Sequence, residues 1–260
     1  MDLADIEKGT GWVLLYILLV TLLWPLCVLL ISIPFGQLSF FQRYLQKMFR
    51  RLTGKKERPV SIALFASGAG SNAEKIIHRF NSSSLKDVQG SHSKQNRKAF
   101  VSLVVCNKPG AGVTAIAARE GIETLLIEKE QFFNGDHYLP ALRSREIDLI
   151  ILAGFLWKLP PELTRAYQNK IVNIHPALLP RFGGKGMYGK KVHEAVLAAG
   201  EKESGITIHY VDEFYDHGKV ILQVRCPVEE NDTADSLAQK IHILEHQHYP
   251  AVIEKLVNAK

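Results

Sequence analysis

Only three cysteines occur in 260 residues, and Cys27, Cys106 and Cys226 lie far apart with no CxxC pair. That excludes a disulfide framework and the ligand spacing of a zinc site, and it suits a reducing compartment. The chain also lacks any Asp, Glu, Lys or Arg between residues 12 and 42. Internal repeats and low-complexity tracts are absent, which argues against a solenoid or a disordered tail. Positive charge is scarce where a nucleic-acid surface would need it. The net charge is +6, but residues 43–58 alone carry +6, through Arg43, Lys47, Arg50, Arg51, Lys55, Lys56 and Arg58 against Glu57. The first eleven residues carry −2, which leaves +2 for everything from Pro59 onward. A nearly neutral folded part has no basic footprint, so a nucleic-acid partner is not expected.

What is present divides the chain into four parts. Residues 1–11 form a short acidic tail. From Trp12 to Phe35 the sequence is uncharged and rich in Leu, Ile and Val. As a helix those residues would rise roughly 36 Å, enough for a hydrocarbon core of about 30 Å, and a membrane helix tolerates Pro25. Residues 12–35 are therefore expected to form one transmembrane helix, anchored in the inner (plasma) membrane. The acidic front and basic rear place the rear in the cytoplasm. A signal peptide fits poorly, because its front would be basic and a small-residue cleavage site would follow. Residues 36–58 read as a basic juxtamembrane linker. The alternative is initiation at Met48, which yields a chain starting MFRRLTGKKERPV with no membrane segment.

Residues 59–257 read as one domain of the α/β class. The runs VSIALFA (60–66), FVSLVVC (100–106), ETLLIE (123–128), DLIILAG (148–154) and IVNIH (171–175) are apolar and short. They alternate with helical or loop segments, as do strands buried on both faces of a parallel sheet. Helices are expected near Ala111–Glu120 and Asp136–Arg145, and again up to Ala199. The stretch 82–98 has loop composition. GITIHYV (205–211) and KVILQVRC (219–226) alternate across a short loop and suggest an antiparallel pair. Thr233 to Val257 reads as a long helix with Asp232 as its N-cap. The expected architecture is a Rossmann-like, mostly parallel sheet with helices on both faces and a late antiparallel pair.

Three constellations carry chemistry. Ser67-Gly68-Ala69-Gly70-Ser71-Asn72 follows the first strand and opens a helix. Glycines let backbone N–H groups approach an anion, and the helix N-terminus adds a favourable dipole. The alternative is a tight turn with no ligand. The spacing matches neither GxGxxG nor a P-loop, which weakens a dinucleotide or ATP reading. Asn173 and His175, two apart on a strand, project from the same face, and an amide donor beside an imidazole suits a developing oxyanion. Either residue could equally be a satisfied polar group near a sheet end. Two prolines, Pro176 and Pro180, restrict the loop that follows. Asp216, in the acidic loop 212–218, gains meaning only if it approaches His175, where a carboxylate favours the imidazolium.

Together SGAGSN (67–72), ILAGFLWKL (151–159), NIHPALLPRFGGKG (173–186), GITIHYVDEFYDHG (205–218) and LEHQHYP (244–250) resemble the folate-dependent formyltransferases. The resemblance runs from near Pro59 to near Val257. It implies transfer of a formyl group from 10-formyltetrahydrofolate to the amine of glycinamide ribonucleotide, a step of purine biosynthesis that needs no metal. Asn173, His175 and Asp216 would be the catalytic set, and Gly70, Ser71 and Asn72 would hold the substrate phosphate. Glu245 would contact the glycinamide or ribose end. Leu156, Trp157, Lys158 and Leu159, with Asn173 and the 211–216 loop, would enclose the folate.

The sequence departs from the family in three places. Many relatives carry a folate-contacting arginine after the third strand, where EQFFNGDHY stands here. The loop FGGKGMYGKKVH leaves open which of Lys185, Tyr188 and Lys190 meets substrate. The apolar front is outside the family pattern. Other readings are another folate-dependent formyl transferase, a formyltetrahydrofolate hydrolase, and a non-catalytic membrane-tethered folate- or nucleotide-binding protein. A transferase acting on methionyl-tRNA would be expected to carry an RNA-binding domain after Lys260, and a hydrolase a regulatory domain in place of residues 1–58.

Overall fold

The computed structural model describes residues 11–21, 23–24, 27, 58–81 and 98–259. It divides into two units, Met1–Arg58 and Pro59–Lys260. In the first, residues 11–21 form a helix whose apolar side chains are exposed. An unbroken run of that length rises roughly 16 Å, about half a hydrocarbon core. Among the described residues no helix is long and apolar enough to cross a membrane. The span expected over 12–35 is therefore not carried by the structure, and much of it, with 36–57 of the linker, lies outside the described residues. So does most of the polar stretch 82–98.

The second unit runs β1 (Val60–Ala66), α1 (Ser71–Asn81), β2 (Ala99–Cys106), α2 (Gly112–Arg119), β3 (Glu123–Leu126), α3 (Lys129–Phe133), α4 (Leu139–Ser144) and β4 (Leu149–Leu152). It continues through α5 (Pro161–Ala166), β5 (Ile171–His175), α6 (Lys190–Ala198), β6 (Glu203–Tyr210), β7 (Val220–Pro227) and α7 (Ala234–Asn258). The strands make one sheet in the order β3-β2-β1-β4-β5-β6-β7. β1 to β5 pair in parallel, and β6 and β7 add on antiparallel. This is a mixed α/β, Rossmann-like sheet.

The apolar run of β1 follows from its central place. Ile62, Leu64 and Ala66 enter one core with Ile76 and Ile77 of α1 and Ile241 and Ile253 of α7. Ala63 and Phe65 enter the other, with Phe132, Leu142 and Leu163 from α3, α4 and α5. A strand covered on both faces has no position for a polar side chain to reach water. The short helix α3 breaks from the sequence expectation. Its five residues are too few for a periodic signal, and buried Phe132 anchors it to the second core.

The N-cap of α7 falls one residue later than expected. Thr233 is the N-cap: its side chain accepts from the Ser236 N–H while the Ser236 side chain accepts from the Thr233 N–H. That reciprocal box satisfies two donors of the first turn. Asp232 instead accepts from Ser236 Oγ at 2.7 Å and from Lys240 Nζ at 2.7 Å.

The chain leaves β1 toward β2 and β3, then crosses back to lay β4 on the other side of β1. Loops leaving the carboxyl ends of β1 and β4 diverge there and open a crevice, the usual ligand position in such sheets. Tyr249 of α7 braces this end. It is fully buried, and its hydroxyl lies 3.0 Å from both the Leu152 and the Val172 carbonyl oxygens, bridging β4 and β5. Removing the hydroxyl leaves those carbonyls without their shared donor. Tyr249→Phe is expected to lower stability by about 1–3 kcal/mol, read as a shifted urea midpoint with unchanged slope. An unchanged midpoint would show that the bridge contributes nothing net.

Candidate active site

The turn after β1 is shaped for close approach. Gly70 has φ +84°, and a Cβ there would stand 2.8 Å from Val113 Cβ, so both conformation and space require glycine. The turn is tied to the neighbouring loop after β4. Ser67 donates its N–H to the Gly154 carbonyl at 3.1 Å, and Ser67 Oγ accepts the Leu156 N–H at 3.0 Å. α1 starts at Ser71, so its free N–H groups face the same crevice end.

A cavity of about 600 Å³ opens there. The structure brings to its wall Gly70, Ser71 and Asn72 from the first turn, Leu156 to Leu159 after β4, Asn173 and His175 at the end of β5, Asp216 and Glu245. Lys185 and Tyr188 line it as well. Lys190 does not figure in the wall and pairs with Asp235, Nζ to Oδ2 at 3.0 Å.

At one end sits an imidazole–carboxylate–imidazole cluster. His175 is buried, and its Nε2 lies 2.7 Å from the Phe182 carbonyl oxygen. A carbonyl only accepts, so Nε2 carries the proton. Nδ1 then faces Asp216 Oδ2 at 3.6 Å, so a second proton on the ring would form an ion pair with the carboxylate. Oδ2 also accepts the Gly184 N–H at 2.9 Å, which fixes the carboxylate from the loop side. The other oxygen, Oδ1, is 3.7 Å from Nε2 of a second buried histidine, His209. Asn173 Nδ2 lies 3.2 Å from that same His209 nitrogen. Burial holds His209 below its ordinary pKa, against the Tyr210 carbonyl and Asp216, which favour protonation.

The loop after His175 is clamped by β6. Thr207, fully buried, donates to the Ala177 carbonyl at 2.7 Å and accepts the Leu179 N–H at 3.0 Å. This holds the HPALLP loop in place while leaving His175 at the cavity.

At the other end, Glu245 is buried and accepts from Asn72 Nδ2 at 2.9 Å. Burial raises its carboxyl pKa, opposed by the Asn72 amide and by His242. Asn72 Oδ1 and His193 Nδ1 are buried with no protein partner. Orphan polar atoms beside a cavity lined by a glycine turn suit a polar ligand. The wall after β4 is apolar, with Phe155 and Trp157 packed against Phe132 at 5.7 and 5.6 Å between centroids. Phe133, from the segment without the arginine, lies 5.7 Å from Trp157 and is exposed. Among the described residues no group of three or more His, Cys, Asp or Glu is placed to hold a metal ion.

Sequence reasoning missed His193, His209 and His242, all in the cavity wall. His209 lies opposite Asn173 in the β5–β6 register. That position shows only once the strands are paired, since alternation alone gives His209 a face but no neighbour.

Burial, with His242 and His175 nearby, lowers His193 to about 4 from an ordinary value of 6.5. The unfolded chain then binds a proton that the native ring refuses. Stability therefore rises with pH between about 4 and 6.5 and is lost as pH falls through that window. From pH 7 to pH 5 this one group removes about 2 kcal/mol. A His193→Leu variant should lose about that much less than the native chain over the same interval, measured by urea unfolding. Equal losses would contradict the burial of a neutral ring.

Known proteins place this geometry. The formyl transferase family profile (Formyl_trans_N) matches residues 60–253. The chain is 40% identical over 203 residues to the chloroplastic phosphoribosylglycinamide formyltransferase of Vigna unguiculata, covering 76% of this chain and 61% of that one. It thus spans about three fifths of that relative's length. It is 39% identical to the phosphoribosylglycinamide formyltransferase of Bacillus subtilis, covering 75% of this chain and 93% of that one. The crystal structure of glycinamide ribonucleotide transformylase 1 from Geobacillus kaustophilus superposes with a TM-score of 0.65 at 36% identity, covering 76% of this chain and 99% of that one. The glycine turn, the β5 Asn–His pair and the sheet that carries them all fall within the matched residues, and the chain belongs to the formyl transferase family.

Proposed function

We propose that the chain transfers the formyl group of 10-formyltetrahydrofolate to the primary amine of glycinamide ribonucleotide. The observation that carries this reading is the convergence of Asn173, His175 and Asp216 at one end of a cavity whose other end holds the glycine turn, Asn72 and Glu245. A substrate with an anionic end and a reactive amine fits between them. The turn and the N-terminus of α1 take the phosphate, and buried Glu245 takes the polar body of the ribonucleotide. The apolar wall of Leu156, Trp157 and Leu159 suits a flat heterocycle, with Lys158 at its edge.

The amine attacks the formyl carbon, and the carbonyl π bond opens to a tetrahedral oxyanion. Asn173 offers an N–H donor, and protonated His175 brings a positive charge. Asp216 stands as counter-ion to that charge at 3.6 Å. Collapse breaks the bond to the folate nitrogen. The amine gives up one proton and the departing nitrogen gains one, so none is released overall. Stabilisation of an oxyanion by one oriented donor contributes about 3–4 kcal/mol.

The uncharged run 12–35 and basic 43–58 extend the reading. We infer a tether to the inner membrane, with the catalytic unit on the cytoplasmic side. Its support is the charge asymmetry and the exposed apolar helix at 11–21.

His175→Ala is expected to lower kcat by about 10²-fold or more with a much smaller change in KM. Near-normal turnover by the folded variant removes His175 from the mechanism. Membrane fractionation tests the tether: a helix-anchored enzyme stays with the membrane through high salt and alkaline washing. Release by salt alone shows that only the basic segment holds it.

A further inference from the structure

His209 belongs to no part of the mechanism above, yet it touches both Asn173 and Asp216. Its Nδ1 lies 2.8 Å from the Tyr210 carbonyl oxygen. Only a donor can sit there, so Nδ1 carries the ring proton. Burial disfavours a second proton, so Nε2 keeps its lone pair. That nitrogen, 3.2 Å from Asn173 Nδ2, therefore accepts an amide N–H. The identity of both amide atoms follows. An acceptor at Nε2 selects the nitrogen of the Asn173 amide and rejects its oxygen, although the two atoms are nearly equal in size.

We propose that His209 is the positioning residue of Asn173, a neutral imidazole that fixes which way round the amide stands and so directs its second N–H at the reacting carbonyl. The amide is planar, so engaging one hydrogen of Nδ2 sets the direction of the other. Without the latch the amide is free to turn, and its oxygen then meets the developing oxyanion as a second negative end. The β5–β6 register places the two residues directly opposite each other, which makes the contact a property of the fold. The 3.7 Å approach of Asp216 Oδ1 to the same ring links the latch to the His175 side of the centre.

The inference rests on the proposed formyl transfer, and the test separates the two. Formyl transfer by the native full chain is measured first; if it is absent, the functional reading fails before any variant is considered. His209→Leu removes the acceptor, and His209→Gln places an amide oxygen near the position of Nε2. The Leu variant is expected to lose about 10²-fold in kcat with little change in KM, and the Gln variant to recover most of it. Placed in an Asn173→Ala background, His209→Leu should add almost nothing, because the group it positions is gone. If the Leu variant does not fold, His209→Ala takes its place as the variant without an acceptor. A loss in that variant, recovered by Gln and absent when Asn173→Ala is already present, supports the latch. Unchanged kcat in Leu, equal losses in Leu and Gln, or losses that multiply with Asn173→Ala overturn it.

Discussion

The pairing of β5 with β6 is the constraint on which the site depends. It sets Asn173 opposite His209 and His175 opposite Thr207. A slip of one residue would turn every one of these side chains to the other face of the sheet. The same pairing lets Thr207 grip the loop after His175 and brings the next loop back so that Asp216 reaches between the two imidazoles. An antiparallel strand added to a parallel sheet thus builds the end of the cavity that holds His175, Asp216 and His209. The parallel half, with its crossover at β1 and β4, builds the end that carries the glycine turn.

Desolvation is what gives the cluster its character. His193 and His209 are nearly inaccessible to water and are held neutral by burial, while Glu245 is pushed toward its protonated form. A buried polar atom without a partner loses its hydration, at a cost in stability. Asn72 Oδ1 and His193 Nδ1 carry that cost. A ligand that supplies the missing partners recovers it, which ties binding to the polar interior of the crevice.

The strands, their order of appearance and the glycine turn were legible in the sequence, because strands covered on both faces are mostly apolar and Gly70 has no alternative. Asn173 and His175 were legible as a pair, since a period of two places them on one face. Their joining with Asp216 and Glu245 came from resemblance alone. Glu245 meets Asn72 across 173 residues, and no local pattern announces that contact. His209 was hidden for the same reason: its meaning lies in cross-strand register. The cap of α7 was misread by one residue because Asp232 and Thr233 are both good caps, and the Thr233–Ser236 exchange decides between them. The aromatic edge of Phe132, Phe133 and Trp157 is packing that has no motif.

The central claim is that the two ends of this cavity serve one reaction between two substrates. It is tested most directly by following the fate of the formyl carbon of 10-formyltetrahydrofolate, with glycinamide ribonucleotide either present or withheld. The account predicts that the label appears on the ribonucleotide amine, in step with loss of formyl-folate, and that little is released as formate when the amine is absent. Formate release at the same rate with or without the ribonucleotide would contradict it, because water would then be the acceptor and the anion end of the cavity would have no part in the chemistry.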